Sequence, residues 1–124
     1  MTIGKIDLEI FKCVSNDIIT DEVVITDRQL AHIKDKHPQD YELYSEFIPE
    51  ILKNPDYILQ ANKPNSAVLL KEIVSHNDRV QLVIRFRISS DPVSYKNSII
   101  TFMKIREKEW NRLIKNKNIL YRIV

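Results

Sequence analysis

Two histidines, His32 and His37, stand on one short stretch that ends at Pro38. Far along the chain, Lys96-Asn97-Ser98-Ile99-Ile100-Thr101-Phe102 sets two hydroxyls into a β-rich run, and between these segments lie Lys71, Arg85 and Arg87. Imidazole exchanges protons near neutral pH, ammonium and guanidinium groups hold phosphate oxygens, and a strand presents a hydroxyl at a fixed depth. Together these groups suit cleavage of RNA without a metal.

The elements that must position them can be read from period and punctuation. Ile6, Leu8 and Ile10 alternate with Asp7, Glu9 and Phe11, which predicts a strand. Val23-Val24-Ile25 predicts another. Thr26-Asp27-Arg28-Gln29 has the form of a capping box, so a helix should start at Asp27 and stop near His37, before the proline. Asp40 is expected to cap a second helix through Ile48, kinked at Pro49 and ended by Asn54-Pro55. Tyr57 to Leu59 reads as a strand. Ala67 to Ser75 and Arg79 to Ile88 read as a hairpin, and Asn97 to Lys104 as a later strand. A helix over Arg106 to Lys115 and a final strand over Ile119 to Tyr121 complete the pattern. Helices early and an antiparallel sheet late indicate an α+β fold in one domain over residues 1–124.

Alternation then sorts the side chains. Val80, Leu82, Ile84, Phe86 and Ile88 form a core face, leaving Gln81, Arg85 and Arg87 on an open cationic face. Ile100 and Phe102 draw Ser98 to the core side, so parity favours Thr101 as the exposed hydroxyl. With a three-residue loop at His76 to Asp78, Lys71 shares the face of Arg85; a two-residue loop would place Glu72 there instead, and the first is expected because burying Lys71 opposite Ile84 would be costly. His37 continues the apolar stripe of Leu30 and Ile33, whereas His32 lies about 140° away around an ideal helix. Taken singly, His37 also reads as a helix-terminal residue and His32 as a solvated one.

Composition narrows the remaining classes. A single glycine argues against phosphate loops and dinucleotide fingerprints, which need backbone positions that only glycine tolerates. One cysteine, Cys13, excludes an internal disulfide and a thiolate zinc site, and its apolar neighbours predict a core or strand position. The histidine spacing is not the i, i+4 pair of a zinc helix, so neither metal nor cofactor is expected. Net charge is only +2, but Lys96, Lys104, Arg106, Lys108, Arg112, Lys115, Lys117 and Arg122 crowd the last quarter against Glu107 and Glu109. That is compatible with an RNA footprint, although a solvated charged helix is the commoner explanation of such a run. No apolar stretch suits a signal peptide or membrane span, and a cytoplasmic location is expected.

Asp27-Arg28-Gln29-Leu30-x-His32-Ile33-x-x-x-His37-Pro38, then Asn54-Pro55-Asp56-Tyr57-Ile58, and Lys96 to Phe102 resemble the phage-associated branch of the Barnase–EndoU–Colicin–RelE-like nucleases. The resemblance spans about residues 23–122, with Tyr121 after a Trp110-bearing helix adding to it. It implies N-terminal helices packed on a four- to five-stranded antiparallel sheet, and a metal-independent endoribonuclease of phage, prophage or toxin-like type. The implied catalytic set is His32 or His37, Lys71 or Arg85, and Ser98 or Thr101, with Arg87, Gln81, Lys96 and Asn97 binding substrate. A ribose 2′-hydroxyl would attack the adjacent phosphorus, giving a 2′,3′-cyclic phosphate and a 5′-hydroxyl. RNA, with tRNA among the targets, and an antitoxin or immunity protein are the implied partners. The competing reading is a non-catalytic RNA- or protein-binding module of a mobile element with the same fold.

Overall fold

The computed structural model describes residues 2–123 and contains one seven-stranded sheet. Its strands are β1 (Thr2–Lys5), β2 (Glu22–Val24), β3 (Tyr57–Gln60), β4 (Ser66–Ile73), β5 (Asp78–Arg85), β6 (Asn97–Ile105) and β7 (Ile119–Arg122). They lie in the order β1-β2-β6-β5-β4-β3-β7. The sheet is thus larger than the four or five strands expected, and mixed: β2 runs parallel to β6, while the other neighbours are antiparallel. The short edge strands β1 and β7 enlarge it, and β1 carries almost no periodic signal.

The helices are α1 (Leu8–Phe11), α2 (Asp27–Lys36), α3 (Pro38–Tyr44), α4 (Ile48–Lys53) and α5 (Glu107–Asn116). Two strands precede α2, so the helical layer is not strictly N-terminal. Where alternation predicted a strand through Ile10, α1 forms instead. The Asp7 carboxylate accepts the Glu9 backbone N–H at 3.0 Å, and that local cap outweighs the period. Cys13 is exposed in the turn that follows, not a core residue. α2 begins as expected: Thr26 Oγ1 accepts the Gln29 N–H at 3.1 Å, and His37 closes the helix with its N–H on the Ile33 carbonyl at 2.7 Å. Pro38 then opens α3, where its missing N–H costs nothing.

One face of the sheet is covered by α1 to α4. Phe11, Ile33, Ile51, Leu52, Ile58, Leu69, Leu82, Ile84 and Phe102 form its largest fully buried cluster. The chain's single glycine sits where β1 meets α4. A Cβ at Gly4 would stand 2.8 Å from Leu52 Cδ1, so a side chain there would require the Leu52 side chain to turn aside. The second face is covered only in part: Leu113, Trp110 and Ile114 of α5 pack on Leu59, Val68, Leu70 and Ile105. The rest of it, around β5 and β6, is open.

Two local irregularities decide which side chains reach which face. The β4–β5 loop has four residues, because Ile73 pairs with Asp78. Val74 to His76 make a 3₁₀ turn, and Asn77 sits in the left-handed region at φ 52°, which asparagine tolerates. Lys71 therefore pairs with Val80 and points to the helical side, while Glu72 pairs with Arg79 on the other. The expected shared face for Lys71 and Arg85 is overturned. In β6 a bulge separates Thr101, opposite Val83, from Ile99, opposite Ile84. The extra residue restores Ser98 to the open face, opposite Arg85, so both hydroxyls lie on that side.

Asn97, expected to bind substrate, is fully buried and structural. Its Nδ2 donates to the carbonyls of Thr20 at 2.7 Å and Glu22 at 2.9 Å, and its Oδ1 accepts the Arg87 N–H at 2.8 Å. It ties the β1–β2 edge to β6 at the one parallel junction. Removing it leaves three partly buried backbone groups without this partner, so Asn97→Ala should cost about 3 kcal/mol. Urea denaturation measures this; a midpoint equal to wild type would contradict the clamp.

Candidate functional site

The groups expected to converge are divided by the sheet. On the open face, Arg85 does not wait for a phosphate. Its guanidinium makes two hydrogen bonds to the Asp91 carboxylate, one of them at 3.1 Å, and a third to the Phe86 carbonyl. Asp91 also accepts the Ile88 N–H at 2.9 Å. Hydrogen bonding to Arg85, then to Ile88, holds the Asp91 carboxyl below the usual range, and Asp91 in turn raises Arg85. Arg85 is a brace for the β5–β6 connection. Arg87 is also built in: its N–H goes to Asn97, its carbonyl accepts from Ile19, and its Nε is buried without a partner. Lys96 is paired with Glu22 at 2.7 Å. Gln81, Ser98 and Thr101 remain on this face, partly exposed.

On the helical face, Lys71 is spent on structure as well. Its Nζ donates to the Asn54 carbonyl at 2.7 Å and lies 3.3 Å from Asp56 Oδ1, pinning the end of α4 to β4. His32 is exposed on α2, and no hydrogen bond or ion pair engages it among the described residues.

His37 is different, because it belongs to a polar centre at the end of β5 and β6. Its Nδ1 is 3.8 Å from Asp40 Oδ2, an ion-pair distance rather than a hydrogen bond. Asp40, in the first turn of α3, does not cap that helix as expected. Its Oδ2 accepts the Lys104 backbone N–H at 3.0 Å, where β6 has run past the end of β2. The Lys104 ammonium lies 3.3 Å from Asp78 Oδ1, and Asp78 Oδ2 accepts the hydroxyl of Tyr44. His76, from the hairpin turn, sets its ring edge-on to Tyr44 and Phe47, at centroid distances of 5.6 and 5.4 Å. Two imidazoles thus border one carboxylate–ammonium–phenol group.

Burial dominates the state of the phenol. Desolvation, reinforced by Asp78 and Asp40, pushes Tyr44 up to about 12. Asp78 moves the other way, held below the usual carboxyl range first by the Tyr44 hydroxyl and then by Lys104. At neutral pH the centre therefore holds a neutral phenol that donates and a carboxylate that accepts. The Lys104–Asp78 pair is half-exposed, and such pairs contribute at most about 1 kcal/mol. Lys104 can leave it for a stronger anion, as Arg85, with four linked hydrogen bonds, cannot. Among the described residues no three His, Cys, Asp or Glu side chains cluster to hold a metal ion.

A family model described as phage-Barnase-EndoU-ColicinE5/D-RelE like nuclease2 matches residues 2–122. The chain belongs to this family. It is thus nuclease-like across nearly its whole length, and the resemblance to this family holds. Comparison with curated proteins and with solved structures gives no match. No helix of the described residues is long and apolar enough to cross a membrane.

Asp40, Tyr44, His76, Asp78 and Lys104 were not singled out as site residues by sequence reasoning. The i, i+3 step from His37 to Asp40 and the i, i+4 step from Asp40 to Tyr44 were legible signals of one helical face. Their meeting with Asp78 and Lys104 depends on strand register, which no local pattern states.

The titration of this centre is testable. The fold raises Tyr44 above its ordinary value of about 10, so the stability it confers is complete below that pH and is lost as pH climbs toward 12. Asp78 is depressed, so its share is present above about 3.9 and lost on acidification through its lower folded value. Tyr44→Phe should flatten part of the alkaline fall in urea midpoint, and Asp78→Asn part of the acid fall. Curves parallel to wild type in both limbs would contradict the assigned couplings.

Proposed function

We propose that this nuclease-family chain is a metal-independent endoribonuclease working at the His37–His76–Lys104 centre. The observation that carries the reading is the arrangement itself: His37 stands by Asp40, which accepts the Lys104 backbone N–H, and His76 stands against Tyr44, which donates to the Asp78 that pairs only weakly with the Lys104 ammonium. Cleavage through the 2′-hydroxyl needs one group to accept a proton, one to give a proton, and one to stabilise added charge on phosphorus. His37, 3.8 Å from Asp40, takes the 2′-hydroxyl proton. The 2′-oxygen forms its bond to phosphorus as the 5′-oxygen leaves with a proton from His76. Lys104 moves from Asp78 to the phosphorane oxygens, and Tyr44 keeps Asp78 satisfied. The products are a 2′,3′-cyclic phosphate and a 5′-hydroxyl.

DNA lacks the nucleophile and is not a substrate in this reading. Gln81, Ser98 and Thr101, across the sheet, contact flanking nucleotides and not the reacting bond. Lys71 and Arg85 act as structural cations. A phage or toxin-like role, cytoplasmic action and an antitoxin or immunity protein fit such an activity, and tRNA is one target class it would reach.

Purified protein incubated with total RNA and EDTA should produce cyclic-phosphate ends. His37→Ala and Lys104→Ala should each lower the rate by about 10²–10⁴-fold, whereas folded Arg85→Ala and Thr101→Ala proteins should keep most of it. RNA left intact by wild type at every concentration would favour the binding-module reading. Full activity in His37→Ala would remove this centre from the chemistry.

A further inference from the structure

Directly beside His37, the junction of α2 and α3 opens into a pocket of about 480 Å³ lined by Lys34, Pro38, Tyr41, Glu42 and Ser45. Pro38 follows His37 in the chain, so one wall of this pocket is the residue next to the proposed acid–base group. Two of its walls are rings, the pyrrolidine of Pro38 and the flat phenol of Tyr41. The Tyr41 ring is held in place by an edge-on contact with buried Phe102, at 6.3 Å and 86°. Its face is already used by a cation: Lys34 Nζ lies 5.5 Å from the ring centroid. The polar atoms at the rim are a carboxylate, an ammonium and a hydroxyl. No hydrogen bond or ion pair engages Glu42 among the described residues.

These features specify a ligand. It must be flat enough to lie on a braced aromatic face, and a nearby negative charge would give Lys34 a better partner than the ring. It must also carry hydrogen-bond donors on its edge, because a carboxylate only accepts. A nucleobase of single-stranded RNA, its phosphate turned toward His37 and Lys34, meets all three demands.

Resting on the ribonuclease reading, the geometry points to this pocket as the base subsite beside the cleaved linkage. Tyr41 is the stacking platform, and Glu42 favours bases with an exocyclic amino group, adenine, cytosine or guanine, over uracil. An amino group offers donors to Glu42. The two carbonyl oxygens of uracil flank its single ring N–H and would face the carboxylate with like partial charge.

The test separates binding from cleavage. Short fluorescein-labelled oligonucleotides with 2′-O-methyl riboses cannot be cut, and their anisotropy reports affinity for the full chain. Wild type should bind the A and C oligomers more tightly than the U oligomer. Tyr41→Phe should bind as wild type, and Tyr41→Ala about tenfold more weakly. Glu42→Gln, on the exposed rim, should keep the fold and lose the preference against U. Equal wild-type affinity for A, C and U oligomers, or a preference unchanged in Glu42→Gln, would overturn the assignment whether or not Tyr41→Ala folds. Base-selective, Glu42-dependent binding without any RNA cleavage would sink the ribonuclease reading alone. His37-dependent cleavage with base-blind binding would sink only the subsite.

Discussion

The pairing of Ile73 with Asp78 across a four-residue turn is the constraint from which the functional geometry follows. A strand alternates its faces, so a turn one residue shorter would move every side chain of β5 to the opposite side. In the register observed, Asp78 emerges beneath α3, within reach of the Tyr44 hydroxyl and the Lys104 ammonium. His76 is lifted by the same turn onto Tyr44 and Phe47. Lys71 is carried to the helical side, where Asn54 and Asp56 take it up.

A second constraint works at the opposite end of β6. Buried Asn97 fastens β6 to the β1–β2 edge and to the chain leaving β5. β2 is short, and beyond Ser98 it no longer pairs with β6. The freed edge of β6 is what allows Asp40 to receive the Lys104 N–H, which brings α3 and His37 to the strand. A buried amide at one end thus leaves a polar centre at the other. The bulge between them puts Ser98 on the open face with Thr101, away from the helical side where His37 lies.

Much of this was readable from local chemistry. Thr26 caps α2 as its motif predicts, His37 ends that helix before Pro38, and the hairpin, β6, α5 and β7 fall near their expected positions. The misreadings share a cause. Alternation through Ile10 was a weaker signal than the Asp7 cap. The hairpin register turned on Asn77 accepting a left-handed backbone, and the position of Ser98 on a bulge inside an unbroken apolar run. The parallel β2–β6 pair joins residues more than seventy apart, which no window of sequence displays. Cations were the hardest groups to assign. Lys71, Arg85 and Lys104 look alike in sequence, yet two are locked by dense hydrogen bonding and one is held by a single exposed pair.

The central claim is that chemistry sits on the helical side of the sheet, at the end of β6, and not among the hydroxyls of the open face. Titrating cytidine 2′,3′-cyclic phosphate, too small to span both faces, into isotope-labelled protein tests this by NMR. The imidazole resonances of His37 and His76 should move together with saturating ligand, while the Thr101 methyl stays in place. Movement of Thr101 with both imidazoles unmoved would contradict the account.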